Sequence, residues 1–240
     1  MFFKSYFGNL AQENGRQSQA NITSLLDKNS KPQVFLDVGC YTGDLTMMWA
    51  KHLKAKEVWG IEILGSAIKK AKENGVTKIY KEDLNLGWSI KSSSVDVLVA
   101  SQVIEHLWDT DKFITEIYRV LKPGGYAVIA TDNSAGWHNI LALTFGWQIF
   151  PLTNLSAKSI GVGNPLALHR GESFDEGMPQ HLRIFTIRAL KELCIIHGFA
   201  VEKIKREGWF PLPNSWAKVI LTVDRAHSAG MELKVRKPIS

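Results

Sequence analysis

The sequence predicts an α/β fold: a doubly wound, mostly parallel seven-stranded sheet, helices on both faces, and an antiparallel C-terminal hairpin. Three observations carry this. Short apolar runs alternate with helical periodicities between residues 34 and 131, the pattern of a parallel sheet covered on both sides. The first run ends in a glycine-containing loop that leads straight into a helix. The last two strand-like runs, near 199–206 and 217–223, are joined by a short segment holding Gly208, Pro211 and Pro213. So short a connection cannot make a parallel crossover, so this pair is expected to be antiparallel.

The elements follow in order. Leu10, Ile22, Leu25 and Leu26, set among polar residues, predict a leading helix over 9–28 within an N-terminal helical segment 1–30. Residues 34–38 read as a buried strand, 44–53 as a helix, 57–62 as a strand, 66–73 as a helix and 78–80 as a short strand. Residues 95–100 form a central strand. Phe113, Ile114, Ile117, Val120 and Leu121 have helical spacing. That helix stops at Lys122-Pro123-Gly124-Gly125, where proline cannot continue it and glycine supplies a turn's positive φ. Residues 126–131 are a fifth strand. The alternation then breaks at 134–180, which is expected to form a lid beside the site, and resumes with a helix at 186–197. The whole, 1–240, reads as one domain.

Composition bounds the function. With 240 residues the chain can bury a real core, and two cysteines, Cys40 and Cys194, cannot build a disulfide framework or a cysteine-rich zinc site. That fits a reducing, cytoplasmic setting. No apolar run of membrane-spanning length and no signal-peptide pattern is seen. The net charge of +6 is spread out: residues 51–82 carry eight Lys against four Glu, and 200–240 carry eight Lys+Arg against four Asp+Glu. No block of like charge marks a polyanion footprint, so nucleic acid is a disfavoured partner. The oligomeric state is left open.

Ligands of open α/β sheets bind outside the carboxyl ends of the strands. The first strand ends Asp37-Val38-Gly39-Cys40-Tyr41-Thr42-Gly43. The dinucleotide fingerprint G-x-G-x-x-G is absent, and Asp37 would repel a pyrophosphate. Glu62, at the second strand tip, can accept from both hydroxyls of a ribose. Asp83, after the third strand, can take an adenine amine. Together these describe a nucleoside with no phosphates and a cationic tail, which S-adenosylmethionine fits.

The stretch from Asp37 to Gly43 resembles the first motif of class I S-adenosylmethionine-dependent methyltransferases. Four further segments match in order: Gly60-Ile61-Glu62; Glu82-Asp83-Leu84; Val95-Asp96-Val97 with Gln102-Val103-Ile104-Glu105-His106-Leu107; and Leu121-Lys122-Pro123-Gly124-Gly125. The resemblance covers about residues 30–132 and points to the small-molecule branch. It implies that Asp37, Gly39, Cys40, Tyr41 and Gly43 frame the methionine end, Glu62 and Ile63 the ribose, and Asp83 and Leu84 the adenine. Ser101 and Gln102 would border the sulfonium. Tyr41 stands where the family has a glycine, and is expected to have an ordinary backbone conformation, its ring either crowding or lining the methionine pocket.

Cys40 reads as a small loop residue rather than a nucleophile. His106, then His181, are the candidates for a general base; capping or packing is the competing reading for each, as it is for His138. Residues 137–152 are rich in large apolar groups, which suits core packing, an acceptor pocket, or contact with a lipid surface. The expected reaction is in-line methyl transfer to a small molecule, with sugar and lipid-linked acceptors among the candidates, and needs no metal. RNA or protein methylation and non-catalytic S-adenosylmethionine binding remain the alternatives.

Overall fold

The computed structural model describes residues 2–156, 158–172 and 180–239. Residues 173–179, within the segment expected to form the lid, lie outside it. Seven strands form one sheet: β1 (Val34–Val38), β2 (Glu57–Ile61), β3 (Lys78–Tyr80), β4 (Val95–Ser101), β5 (Leu121–Asp132), β6 (Ala200–Glu207) and β7 (Gly230–Arg236). Their order is β3-β2-β1-β4-β5-β7-β6. Strands β1 to β5 pair in parallel, and β7 is antiparallel to both neighbours. Chain order reverses between β1 and β4, so their carboxyl ends flank the switch point where such sheets bind ligands.

The pleat sorts the core into two halves. Leu36, Leu98, Ala100, Ile129 and Leu233 face one side. They pack there with Phe113, Ile114 and Ile117 of α4 (Thr110–Val120) and with Leu190 and Cys194 of α6 (Ile187–Ile196). Phe35, Val97, Val99 and Val128 face the other. There they meet Ile22 and Leu25 of α1 (Phe2–Leu25), Trp49 and Leu53 of α2 (Asp44–Leu53), and Ala71 of α3 (Gly65–Glu73). Alternate residues of one strand thus serve opposite layers.

Two expectations need correction. Residues 217–223 are not a strand: α7 (Asn214–Ile220) begins after Pro213, and Val219 and Val223 are exposed. A short apolar run does not reveal its own period. The strand pairing with β6 is instead residues 230–236. Its alternation of Met231, Leu233 and Val235 with Glu232 and Lys234 is a strand period, and in the fold both polar residues are buried. Glu232 is fully buried beneath α1, where Ser18 Oγ and Asn21 Nδ2 each donate to its carboxylate at 2.9 Å. Antiparallel pairing holds, but β7 lies between β5 and β6, and residues 208–229 form a second excursion.

Residues 134–172 carry α5 (Trp137–Thr144) and a short 3-10 turn, Phe150–Leu152. Asp224 fastens α5 to the second excursion. Its Oδ2 accepts from Trp137 Nε1 at 2.7 Å and Trp209 Nε1 at 3.0 Å, and its Oδ1 lies 2.7 Å from His227 Nδ1.

Candidate active site

The loop after β1 is wound tightly. Gly39 has φ +74°, and a Cβ there would lie 2.7 Å from Val103 Cγ2; Gly43, capping α2, has φ +80° and would bring a Cβ 2.9 Å from Val76 Cγ2. Both positions require glycine. Tyr41 between them has φ +45°, which corrects the expectation of an ordinary backbone. The turn forces it: the Tyr41 N–H is turned inward to donate to Glu62 Oε2 at 2.9 Å. The ring neither fills the pocket nor leaves it, being 62% exposed while bordering the cavity.

Glu62 Oε1 accepts from the Ile63 and Leu64 N–H groups at 2.8 and 2.9 Å. With Tyr41 that makes three bonds, leaving about one acceptor position on the carboxylate. Asp37 is buried and its Oδ2 accepts from Thr46 Oγ1 of α2. Burial pushes the Asp37 carboxyl up to about 7, against the Thr46 hydrogen bond and with help from the negative charge of Glu62. Cys40 is buried, and burial first, then Asp37 and Glu62, pushes its thiol up to about 12. A thiol so raised is a poor nucleophile near neutral pH.

A cavity of about 1000 Å³ opens beside this loop. Of the residues expected at the site, Asp37, Gly39, Cys40, Tyr41, Gly43, Ser101, Gln102, His106 and His181 line it together. Glu62, Ile63, Asp83 and Leu84 do not. They sit at the tips of β2 and β3, the next strands along the sheet edge. Asp83 is engaged in a turn, its Oδ1 accepting from the Asn85 backbone N–H at 2.9 Å and side chain at 3.0 Å. Four adjacent strand tips, from β3 to β4, span roughly 14 Å at about 4.8 Å per strand. Gln102, at the β4 end, has φ +56°. Unusual backbone of this kind concentrates at working sites.

The rings of His106 and His181 meet edge to face, 4.7 Å apart. The chain brings them together because the Leu182 and Arg183 N–H groups both donate to the Glu105 carbonyl, at 2.7 and 3.1 Å. His106 Nδ1 lies 3.2 Å from the Gln180 carbonyl. Burial holds the His181 ring below its ordinary value, the Pro151 carbonyl working the other way. Glu105 is buried, with Oε2 accepting from Thr131 Oγ1 at 2.9 Å. Burial pushes its carboxyl up to about 8, helped by Asp132.

Two lining acids at strand ends escaped the sequence reading. Asp132 ends β5, and burial, opposed by His106, pushes its carboxyl up to about 6. Glu207 ends β6. An acid closing a strand was the signal used for Asp37 and Glu62, and it applied equally here. His138 packs against the rings of Phe150 and Phe210, which also touch each other, and burial lowers it to about 4, so it is neutral. It borders both the main cavity and an apolar side pocket of about 180 Å³ lined by Leu141, Phe145, Trp147 and Leu166.

The comparisons agree with this geometry. The methyltransferase domain family matches residues 10–204. The chain belongs to that family. It has the fold of the class I, Rossmann-like S-adenosylmethionine-dependent methyltransferases. It is similar to an uncharacterized methyltransferase of Schizosaccharomyces pombe, 33% identical over 122 residues, 46% of this chain and 44% of the relative. It is also similar to a ubiquinone biosynthesis O-methyltransferase of Rickettsia canadensis, 36% identical over 119 residues, 47% of this chain and 48% of the relative. The match spans less than half the length of these curated relatives. The fold is shared with an S-adenosylmethionine-dependent methyltransferase from Mesorhizobium loti, at TM-score 0.59 and 16% identity over 89% of this chain and 94% of that one. Among the described residues, no helix is long and apolar enough to cross a membrane.

Proposed function

We propose that the protein transfers the methyl group of S-adenosylmethionine to a hydroxyl oxygen of a neutral, partly apolar small molecule. The observation that carries this is the make-up of the cavity. Among the described residues its lining holds Asp37, Asp44, Asp132 and Glu207 but no Lys or Arg. A phosphate-rich acceptor would meet no Lys or Arg counter-charge there, which disfavours RNA. The cationic sulfonium and ammonium of the cofactor suit it. Phe150, Leu166, Phe210 and His138 border both this cavity and the side pocket, giving an apolar part of the acceptor a path. The Rickettsia canadensis relative is an O-methyltransferase by name, which fits an oxygen acceptor.

In this reading Asp83 and Leu84 would hold adenine, Glu62 and Ile63 ribose, and Asp37 with the 39–43 loop the methionine end. Ser101 and Gln102 would border the sulfonium. When bound, the cofactor would supply a methyl group made electrophilic by its positive sulfur, which the acceptor oxygen would take while the sulfur keeps the S–C electron pair and leaves as a neutral thioether. The acceptor's proton would pass to the His106–His181 pair, in which burial lowers the basicity of His181. Alignment within the cavity supplies much of the rate, on the order of 7–11 kcal/mol for well-oriented reactants. Phe150, Pro151, Ile160, Leu166 and Leu168 wall the cavity and would help exclude water.

Calorimetry with S-adenosylmethionine tests the cofactor assignment. Asp37→Ala and Glu62→Ala are expected to weaken binding at least tenfold; unchanged affinity in both would overturn it. Turnover of labelled cofactor across neutral phenols, sterols and glycolipids, with RNA alongside, tests the acceptor. Methylation of RNA alone would reverse the choice.

A further inference from the structure

We propose that Glu105, His106 and His181 form a binding site for a divalent transition-metal ion of the zinc type. One ligating atom from each lies within 4.8 Å of the other two. Two imidazoles and a carboxylate are a recognised donor set for such ions, leaving coordination positions for an exogenous oxygen.

The remaining atoms of the three side chains point the same way. Metal-bound residues hold their orientation through outer partners, a histidine usually by donating its other N–H to a carbonyl or carboxylate. His106 Nδ1 is positioned to donate to the Gln180 carbonyl, which makes Nε2 the ligand atom. The Pro151 carbonyl interacts with the His181 ring, whose buried Nδ1 has no hydrogen-bond partner. Thr131 fixes Oε2 of Glu105, while Oε1 is buried and without a partner. Glu105 is only 1% exposed, and an unsatisfied buried carboxylate oxygen is costly to keep. An ion would satisfy it. Separations up to 4.8 Å exceed the roughly 3.4 Å between ligands that tetrahedral bonds of about 2.0–2.1 Å impose, so the side chains close inward by about 1 Å on binding. Asp132, also on the cavity wall, adds negative charge beside His106.

The site borders the same cavity as Ser101 and Gln102. Its catalytic meaning rests on the methyl-transfer reading. An acceptor hydroxyl on the ion would lose its proton to solvent and present an alkoxide, and the histidines would then act through the metal rather than as bases. Metal binding itself does not depend on that reading.

The test uses untagged, metal-stripped protein titrated with Co²⁺, followed by visible absorption, and with Zn²⁺, followed by calorimetry. One equivalent is expected to bind at micromolar affinity or better, with Co²⁺ giving d–d bands of a four- or five-coordinate site. His181→Ala and Glu105→Gln should weaken binding 10–100-fold, while S-adenosylmethionine affinity measured in parallel stays within twofold. Circular dichroism checks the fold of each variant, and His181→Ala, on a loop, decides if Glu105→Gln does not fold. Absence of Co²⁺ bands and of Zn²⁺ binding in the wild type, or equal affinity in a folded variant, would overturn the site. Loss of cofactor binding with metal binding intact would instead strike at the methyl-transfer reading.

Discussion

Tyr41 carries a local cost that its neighbours impose. Left-handed backbone costs a residue with a Cβ about 1–2 kcal/mol, and Tyr41 sits at φ +45° because its N–H must reach Glu62. Its ring is mostly exposed, so little packing is lost when it is removed. Glycine relieves the strain but loses more chain entropy on folding, about 0.5–1 kcal/mol relative to alanine. Tyr41→Gly is therefore expected to raise the melting temperature by roughly 1–3 °C, whereas Tyr41→Ala keeps the strain and does not. A thermal melt of the two variants beside the wild type checks the order; a lower melting temperature for the glycine variant would contradict it. Tyr41 also marks a limit of the sequence. The side chain implied an ordinary φ, and only the Glu62 bond, made across two strands, overrides that preference. Asp37, Gly39 and Gly43 were legible because a strand end, a glycine and a helix start lie side by side in the chain. The cavity neighbourhood of His181 depends on backbone bonds to Glu105 that no spacing records.

Elements with a clear period were legible to within a few residues, from β1 through α4. Strand β7 was missed although Met231, Leu233 and Val235 alternate with Glu232 and Lys234, a strand period, because the apolar run at 217–223 reads as the closing strand. Both polar residues are buried in the fold. The 217–223 run looked like a strand, yet residues 217–220 belong to α7. Asp224 fastens α5 to the 208–229 excursion. Burial works against its ionisation, but hydrogen bonds from Trp137, Trp209 and His227 outweigh it and hold the carboxyl well below the usual carboxylate range. Replacing it by alanine leaves two indole N–H groups without their acceptor. Hydrogen bonds to a charged group contribute about 1.5–3 kcal/mol each at most, and partial exposure reduces that. Asp224→Ala is expected to cost about 2–3 kcal/mol in stability. It should also raise KM for the acceptor, because Phe210 and His138 lose their support, while cofactor affinity holds. Melting curves and steady-state kinetics test both. A rise in the cofactor's Kd as large as that in the acceptor's KM would show that the cavity wall and the strand tips are not separable.

The molecule couples its stability to its ligand through one buried acid. Asp37 is raised to about 7 in the fold from an ordinary 3.8. Between those values the native protein holds a proton that the unfolded chain has released. The unliganded fold therefore loses stability as pH rises from about 4 through 7. A cationic ligand reverses the preference, since its positive groups favour the carboxylate. Below pH 7 binding must first expel the proton, at about 1.4 kcal/mol per pH unit; above it, affinity levels off. Ligand at about 100 times its Kd adds roughly 2.7 kcal/mol to stability, or roughly 5–10 °C for a chain of this size. At a fixed ligand concentration the melting-temperature gain from S-adenosylmethionine should therefore grow between pH 6 and pH 7.5 and change little above pH 8. In Asp37→Asn, which cannot ionise, the gain should be small and nearly flat over the same range. The difference between wild type and variant isolates this carboxyl from the other buried acids. A wild-type gain that is largest at pH 6, or a variant that keeps the wild-type slope, would remove Asp37 from the ligand's binding site.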